Sequence, residues 1–182
     1  MGSYDLVVKG GTVYLPNGPM DRLNIGILEN RITTLTTEPI AGREEIDAHG
    51  YHVIPGAIDP HMHCWRGSDF ETMGNASRAA VKGGITTLID MPVDRPIPST
   101  PKILHEKIAE GERESFVDFA LYGGIGFEGI GDLPKLLCEP IVAVKLFMDT
   151  TPPVGKYPGL YTGEILDVLC MTAQANKVAS VH

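Results

Sequence analysis

The sequence predicts an α/β fold built on parallel strands and preceded by a small all-β segment. Three observations carry this. After Tyr51, short apolar runs alternate with helical patterns. The runs start at residues 53, 85, 116, 141 and 178, so each strand-plus-helix unit takes 25 to 37 residues. The runs are apolar on both faces, as buried parallel strands are.

Residues 1–52 read as strands and turns. Leu6–Lys9 leads into Gly10-Gly11, and Thr12–Tyr14 into Pro16-Asn17-Gly18. Asn24–Leu28 and Ile32–Leu35 flank Glu29-Asn30-Arg31, a hairpin signal. From Val53 on, the predicted strands are Val53–Ile58, Ile85–Met91, Phe116–Tyr122, Ile141–Met148 and Val178–Val181. Helical patterns occupy 70–82, 101–114, 130–138 and 163–176. Gly83-Gly84 closes the first helix, and Ser99-Thr100-Pro101 opens the second with a cap and a first-turn proline. Residues 53–182 thus hold five strands. A closed eight-stranded barrel takes about 250 residues, so slightly over half of one fits here. The sequence stops at Ser180-Val181-His182, which reads as the N-terminal portion of a longer enzyme. An open doubly wound sheet, complete at five strands, satisfies the same pattern.

Composition narrows the function classes. With 43% hydrophobic residues in 182, the chain can bury a real core. No apolar run approaches the ~18 residues of a membrane span. Fifteen Lys and Arg against 23 Asp and Glu, a net charge of −8, argue against a nucleic-acid partner. No secretory leader opens the chain, and three Cys at no zinc-knuckle spacing read as reduced thiols, which points to a cytoplasmic protein.

Three features could carry chemistry. Asp59-Pro60-His61-Met62-His63 follows the first buried run, and two His at i, i+2 on an extended chain point to one side. Converging neutral imidazoles suit a divalent metal, although a His-x-His pair in a loop also arises by chance. Lys145 sits inside the apolar run Ile141–Met148, where a cation is costly unless paired or neutralised. Either the side chain reaches out to water, or its amine reacts with CO2 to give a carbamate able to bridge two cations. His182 ends the fifth run, so three strands each offer a ligand at the same end of one sheet. Two further signals have bland readings. Gly124-x-Gly126-x-x-Gly129 with Asp149 matches a dinucleotide fingerprint, but two strand–helix units precede it and a glycine-rich stretch follows. Cys64 adjoins His63 but points the other way and reads as a core thiol.

With those residues in hand, the chain resembles the cyclic amidohydrolases of the amidohydrolase superfamily, the group of allantoinase, hydantoinase/dihydropyrimidinase and dihydroorotase. The resemblance runs from Asp5–Gly11 through Ile46–Gly50, Val53–His63, Arg78–Ala80 and Gly83–Thr87 to Val144–Phe147 and Val181-His182. It implies a (β/α)8 barrel, of which residues 53–182 hold about the first five strands, after a small β-sandwich part over 1–52. It implies two divalent metal ions, Zn2+ or alternatively Co2+, Mn2+ or Ni2+. Their ligands would be His61, His63, carboxylated Lys145 and His182, with CO2 supplying the lysine carbamate. The general-base Asp would lie beyond residue 182, leaving no catalytic proton-transfer residue in this segment. The implied reaction opens a cyclic amide or ureide to a carbamoyl or ureido acid, and the implied assembly is a homo-oligomer, commonly a tetramer.

Within the group, dihydroorotase-like sequences carry Arg and Asn where this chain has Trp65 and Val93, and hydantoinases carry Tyr where it has Thr150. Asp90–Asp94 and Phe119–Gly124 look most like allantoinase, although Asp94 stands where Asn is usual. Arg66 and Asp94 are the candidate substrate contacts. A non-catalytic dihydropyrimidinase-related scaffold is a further alternative, disfavoured because all four ligand positions are retained.

Overall fold

The structure is a computed structural model that describes residues 4–16, 18, 20–64, 71–125, 127–148 and 159–182. Its contacts divide the chain into two compact units, Met1–Pro55 and Gly56–His182.

The first unit is one mixed sheet. Its strands are β1 (Tyr4–Val13), β2 (Asp21–Leu28), β3 (Arg31–Thr36), β4 (Gly42–Asp47) and β5 (His52–Val53). They lie in the order β3-β2-β1-β4, and β5 also pairs with β1. The predicted hairpin joins β2 to β3. Glu29 and Asn30 both take positive φ, 50° and 61°, which matches the twist of the flanking strands. Gly10, at φ +65°, marks a bulge where the pairing of β1 with β2 shifts register. A Cβ at Gly10 would stand 2.2 Å from the His49 ring, so glycine is required twice over. Val13, Leu23 and Ile25 form a small core.

The second unit is a parallel sheet crossed by helices. Its strands are β6 (Ala57–Met62), β7 (Ile85–Asp90), β8 (Asp118–Ile125), β9 (Ala143–Leu146) and β10 (Val178–Val181). They pair in chain order, β6-β7-β8-β9-β10. A doubly wound sheet reverses its strand order at a switch point, and this sheet has no reversal. The connections carry α1 (Met73–Lys82), α2 (Pro101–Glu114), a 3-10 turn (Phe127–Asp132) with the short α3 (Leu133–Leu136), and α4 (Thr162–Gln174). Thr72 Oγ1 accepts the Asn75 amide at the start of α1, and Thr100 does the same for Ile103 at the start of α2, with Pro101 in its first turn.

One face of each strand supplies the core beneath the helices. Leu88, Leu121, Ile125, Val144 and Leu146 point that way and are buried against Leu104 of α2, Leu136 of α3 and Val168 of α4. On β8, Gly123 shares this face. A Cβ there would stand 2.7 Å from Leu136 Cδ2, so glycine lets α3 settle closely on the strand.

Three predicted strands change, and one of them, Ile141–Met148, shortens to Ala143–Leu146. The run Val53–Ile58 divides: Val53 pairs with Val13 in the first unit, and β6 starts only at Ala57. Pro55 offers no N–H to a ladder, and a Cβ on Gly56 would collide with Thr86, so the chain breaks between the two sheets. Strand β8 continues through Gly123-Gly124 to Ile125, past the predicted end at Tyr122. Among the described residues, no helix is long and apolar enough to cross a membrane.

Candidate functional site

The C-terminal ends of β6, β9 and β10 place the predicted ligands. On β6, Met62 packs against the core beneath the helices, so the alternation of an extended chain turns His61 and His63 to the opposite face. Their rings lie 5.2 Å apart between centroids and are inclined by 31°. On β9, Val144 and Leu146 fill the core, and Lys145 therefore shares the face of the imidazoles. Gly124 lies in register with Lys145, so β8 contributes no side chain beside it.

Strand β10 runs in register with β9, Ser180 against Lys145 and Val181 against Leu146. The pairing continues past both strands. His182 N–H donates to Leu146 O at 3.0 Å, and Met148 N–H donates to His182 O at 2.9 Å. His182 thereby lies alongside Phe147, ring centroids 5.2 Å apart. The Lys145 ammonium lies 5.6 Å from the centroid of the same Phe147 ring. Phe147 thus stands between two of the predicted ligands, a position that sequence reading had assigned only to an apolar run.

The electrostatics of this end are one-sided. Lys145 is 5% exposed, so little of its side chain reaches water. Burial pulls its pKa below the ordinary lysine value, and no carboxylate among the described residues pairs with it. Burial also lowers the pKa of His63, and the positive charges of His61, Lys145 and Lys107 add to the effect. Both shifts favour the neutral forms. Neutral imidazole is the form that binds a metal, and neutral amine is the form that attacks CO2.

The predicted substrate contacts fare differently. Arg66 lies outside the described residues, as do Trp65, Gly126, Asp149 and Thr150. Asp94 is buried, and its carboxylate forms an ion pair with Lys107 of α2, which also pairs with Asp90. Burial works against the Lys107 charge, but the two carboxylates outweigh it and hold its pKa above the usual lysine value. Asp90 itself is raised by burial, against the pull of Lys107. Sequence reading did not single out Lys107. The available signal was its spacing, three residues after Leu104 and four before Gly111, on the buried stripe of α2. The neighbouring Cys64 thiol is pushed up by burial and by the Asp90 charge, which keeps it protonated and consistent with a core thiol.

Gly124 of the glycine fingerprint lies within β8, and a 3-10 turn with a four-residue helix follows it. A phosphate-binding fingerprint needs its glycines in the turn that opens a full helix, so this one does not qualify.

The described residues hold no cluster of three His, Cys, Asp or Glu side chains suited to a metal. The donors brought to this end are instead imidazoles and one buried amine. As an ammonium, Lys145 would repel a cation. As a carbamate, it would add the missing negative charge and two oxygen donors. The residues therefore fit a metal pair on condition that Lys145 is carboxylated.

The solved structure of L-hydantoinase (dihydropyrimidinase) from Arthrobacter aurescens matches 98% of this chain and 40% of that one, with a TM-score of 0.89 and 27% identity. The architecture is thus an α/β amidohydrolase fold. In sequence, an allantoinase from Rubrobacter xylanophilus is 34% identical over 155 residues, covering 83% of this chain and 34% of the relative. A dihydroorotase from Methanothermobacter thermautotrophicus is 37% identical over 142 residues, 75% of this chain and 32% of the relative. No protein-family model matches. On these likenesses, the chain belongs to the cyclic amidohydrolase family. It spans about a third of the length of these two curated relatives.

Proposed function

We propose that this protein is a metal-dependent cyclic amidohydrolase that hydrolyses a ring C–N bond, with an allantoin-like ureide as substrate. The observation that carries the reading is Lys145: buried, without a carboxylate partner among the described residues, and on the same sheet face and at the same strand ends as His61, His63 and His182. The names of its relatives, allantoinase and dihydroorotase, supply the substrate class. The likeness to L-hydantoinase supports a second reading in which the substrate is a hydantoin.

In this proposal the neutral Lys145 Nζ attacks the carbon of CO2, forms an N–C bond and releases one proton to solvent. The carbamate, His61, His63 and His182 would hold two divalent ions, Zn2+ the first candidate. When bound, such a pair supplies Lewis acidity, lowering the pKa of a water and polarising the ring carbonyl. The chain's own contributions are to bias the His63 imidazole toward its neutral form and to bury the lysine. Phe147 packs beside both Lys145 and His182. For substrate contact Arg66 is retained; the carboxylate of Asp94, the other candidate, is instead buried against Lys107 in the segment after β7. In this proposal the second unit, Gly56–His182, holds the first five strands of a (β/α)8 barrel, and the first unit is one part of a β-sandwich.

The test uses the protein from its complete reading frame, grown with bicarbonate, and a Lys145→Ala variant. Metal content per chain should fall from two to one or none in the variant, with ring opening of allantoin lost. No metal in either protein would overturn the proposal, and turnover of hydantoin but not allantoin would move the substrate to the second reading.

A further inference from the structure

The inference rests on the metal-centre reading above and concerns the opposite face of the sheet. Asp90 ends β7 two residues after Leu88, so its side chain shares the helix-facing side with Leu88 rather than the side of His61 and His63. There it is buried, and its Oδ2 meets Lys107 of α2. Its other oxygen, Oδ1, accepts the Cys64 N–H at 2.7 Å. One residue beyond the end of β7, Met91 N–H donates to Met62 O at 2.8 Å. His63 is therefore bracketed. The residue before it is held by a backbone bond, and the residue after it by the Asp90 carboxylate. Beyond Met62 the regular strand has ended, and a side chain takes over the pairing.

A buried ion pair is poor evidence of stabilisation, because apolar residues of similar volume often serve the fold as well. What the charges here provide is direction. A carboxylate fixed from one side by an ammonium presents its free oxygen to one amide. Charge-assisted bonds of this kind are shorter and stronger than neutral ones. Lys107 also holds Asp94, four residues after Asp90, so one ammonium fixes the last carboxylate of β7 and one in the segment that follows it.

We infer that Lys107 is a positioning residue for the His61–His63 pair. It acts through Asp90 on the Cys64 amide, and so on the direction in which His63 leaves β6.

The test compares the protein from its complete reading frame with Lys107→Met and with the triple variant Lys107→Met/Asp90→Leu/Asp94→Asn, which leaves no unpaired charge behind. Two readouts apply besides activity. In metal-free protein, hydrogen exchange at the Cys64 amide should quicken about tenfold or more in both variants. In a Co2+ titration followed by visible absorption, affinity should weaken about tenfold, the lower range for groups that orient metal ligands. The triple variant should keep its thermal midpoint. A folded triple variant with unchanged exchange and Co2+ affinity would overturn the assignment. Unfolding of that variant would assign the cluster to stability instead. Failure of the unmodified protein to bind Co2+ would sink the metal-centre reading, while the exchange measurement would still judge the clamp.

Discussion

Two lysines are buried almost equally in this molecule, Lys107 at 4% exposure and Lys145 at 5%, and are accommodated in opposite ways. Lys107 is surrounded by carboxylates and stays charged. Lys145 has none among the described residues, and burial draws it toward the neutral amine. Only the second was legible in the sequence, because a cation inside a strand-length apolar run has no bland place to go. Lys107 lies on a helix whose other polar residues face water, and its partners come from another segment of the chain. His61 and His63 were legible from strand alternation alone. Phe147 was not, since an aromatic residue in an apolar run reads as core. A glycine beside Lys107 gives a prediction at this scale. Gly111 sits inside α2, where alanine ordinarily gains about 1 kcal/mol in helix propensity. Here a Cβ would stand 2.5 Å from the Phe119 ring, and overpacking of this kind costs about 1–3 kcal/mol. Gly111→Ala should therefore destabilise the protein by about 1 kcal/mol in urea unfolding, and a stabilised variant would show that the ring moves aside freely.

At the scale of elements, three of the four helices were read closely, the pattern over 130–138 shrank to a 3-10 turn and the four-residue α3, and the strand ends were read less well. Helices carry their own boundary marks: Thr72, Thr100 and Pro101 at the starts, Gly83-Gly84 at the end of α1. Strand ends depend on the neighbour. Val53 belongs to β5 because Val13 pairs with it, and Gly123-Gly124 belong to β8 because β9 pairs with them. No local signal in the chain contains that information, and glycine taken alone reads as a break. Helix α2 carries Lys107, so its start tests the link from cap to packing. Thr100→Ala should cost about 1 kcal/mol, the usual loss for an N-cap, measured as a shift in urea midpoint at constant slope. No shift would mean that Pro101 alone sets the start of the helix.

At the scale of the whole molecule, the ~30-residue rhythm made the parallel sheet legible, but the order of its strands was not. Rhythm fits a sequential sheet and a doubly wound one equally, and only the pairing of β6 through β10 separates them. The sheet of the second unit ends on β6 and β10, where Ile58, Val178 and Val181 are exposed. Exposed apolar edge strands pair with other chains. The 182-residue chain expressed by itself should self-associate in sedimentation velocity across a dilution series, and Val178→Lys should reduce that association. A monomer at every concentration would show that these edges are protected. Within the sheet, Gly123 and Gly124 face opposite sides, the first toward Leu136 of α3 and the second in register with Lys145. Neighbouring codons therefore answer to separate selective pressures. A change at the first is judged by how the helix layer packs, and a change at the second by what the lysine can do, so stability and chemistry can drift independently one residue apart.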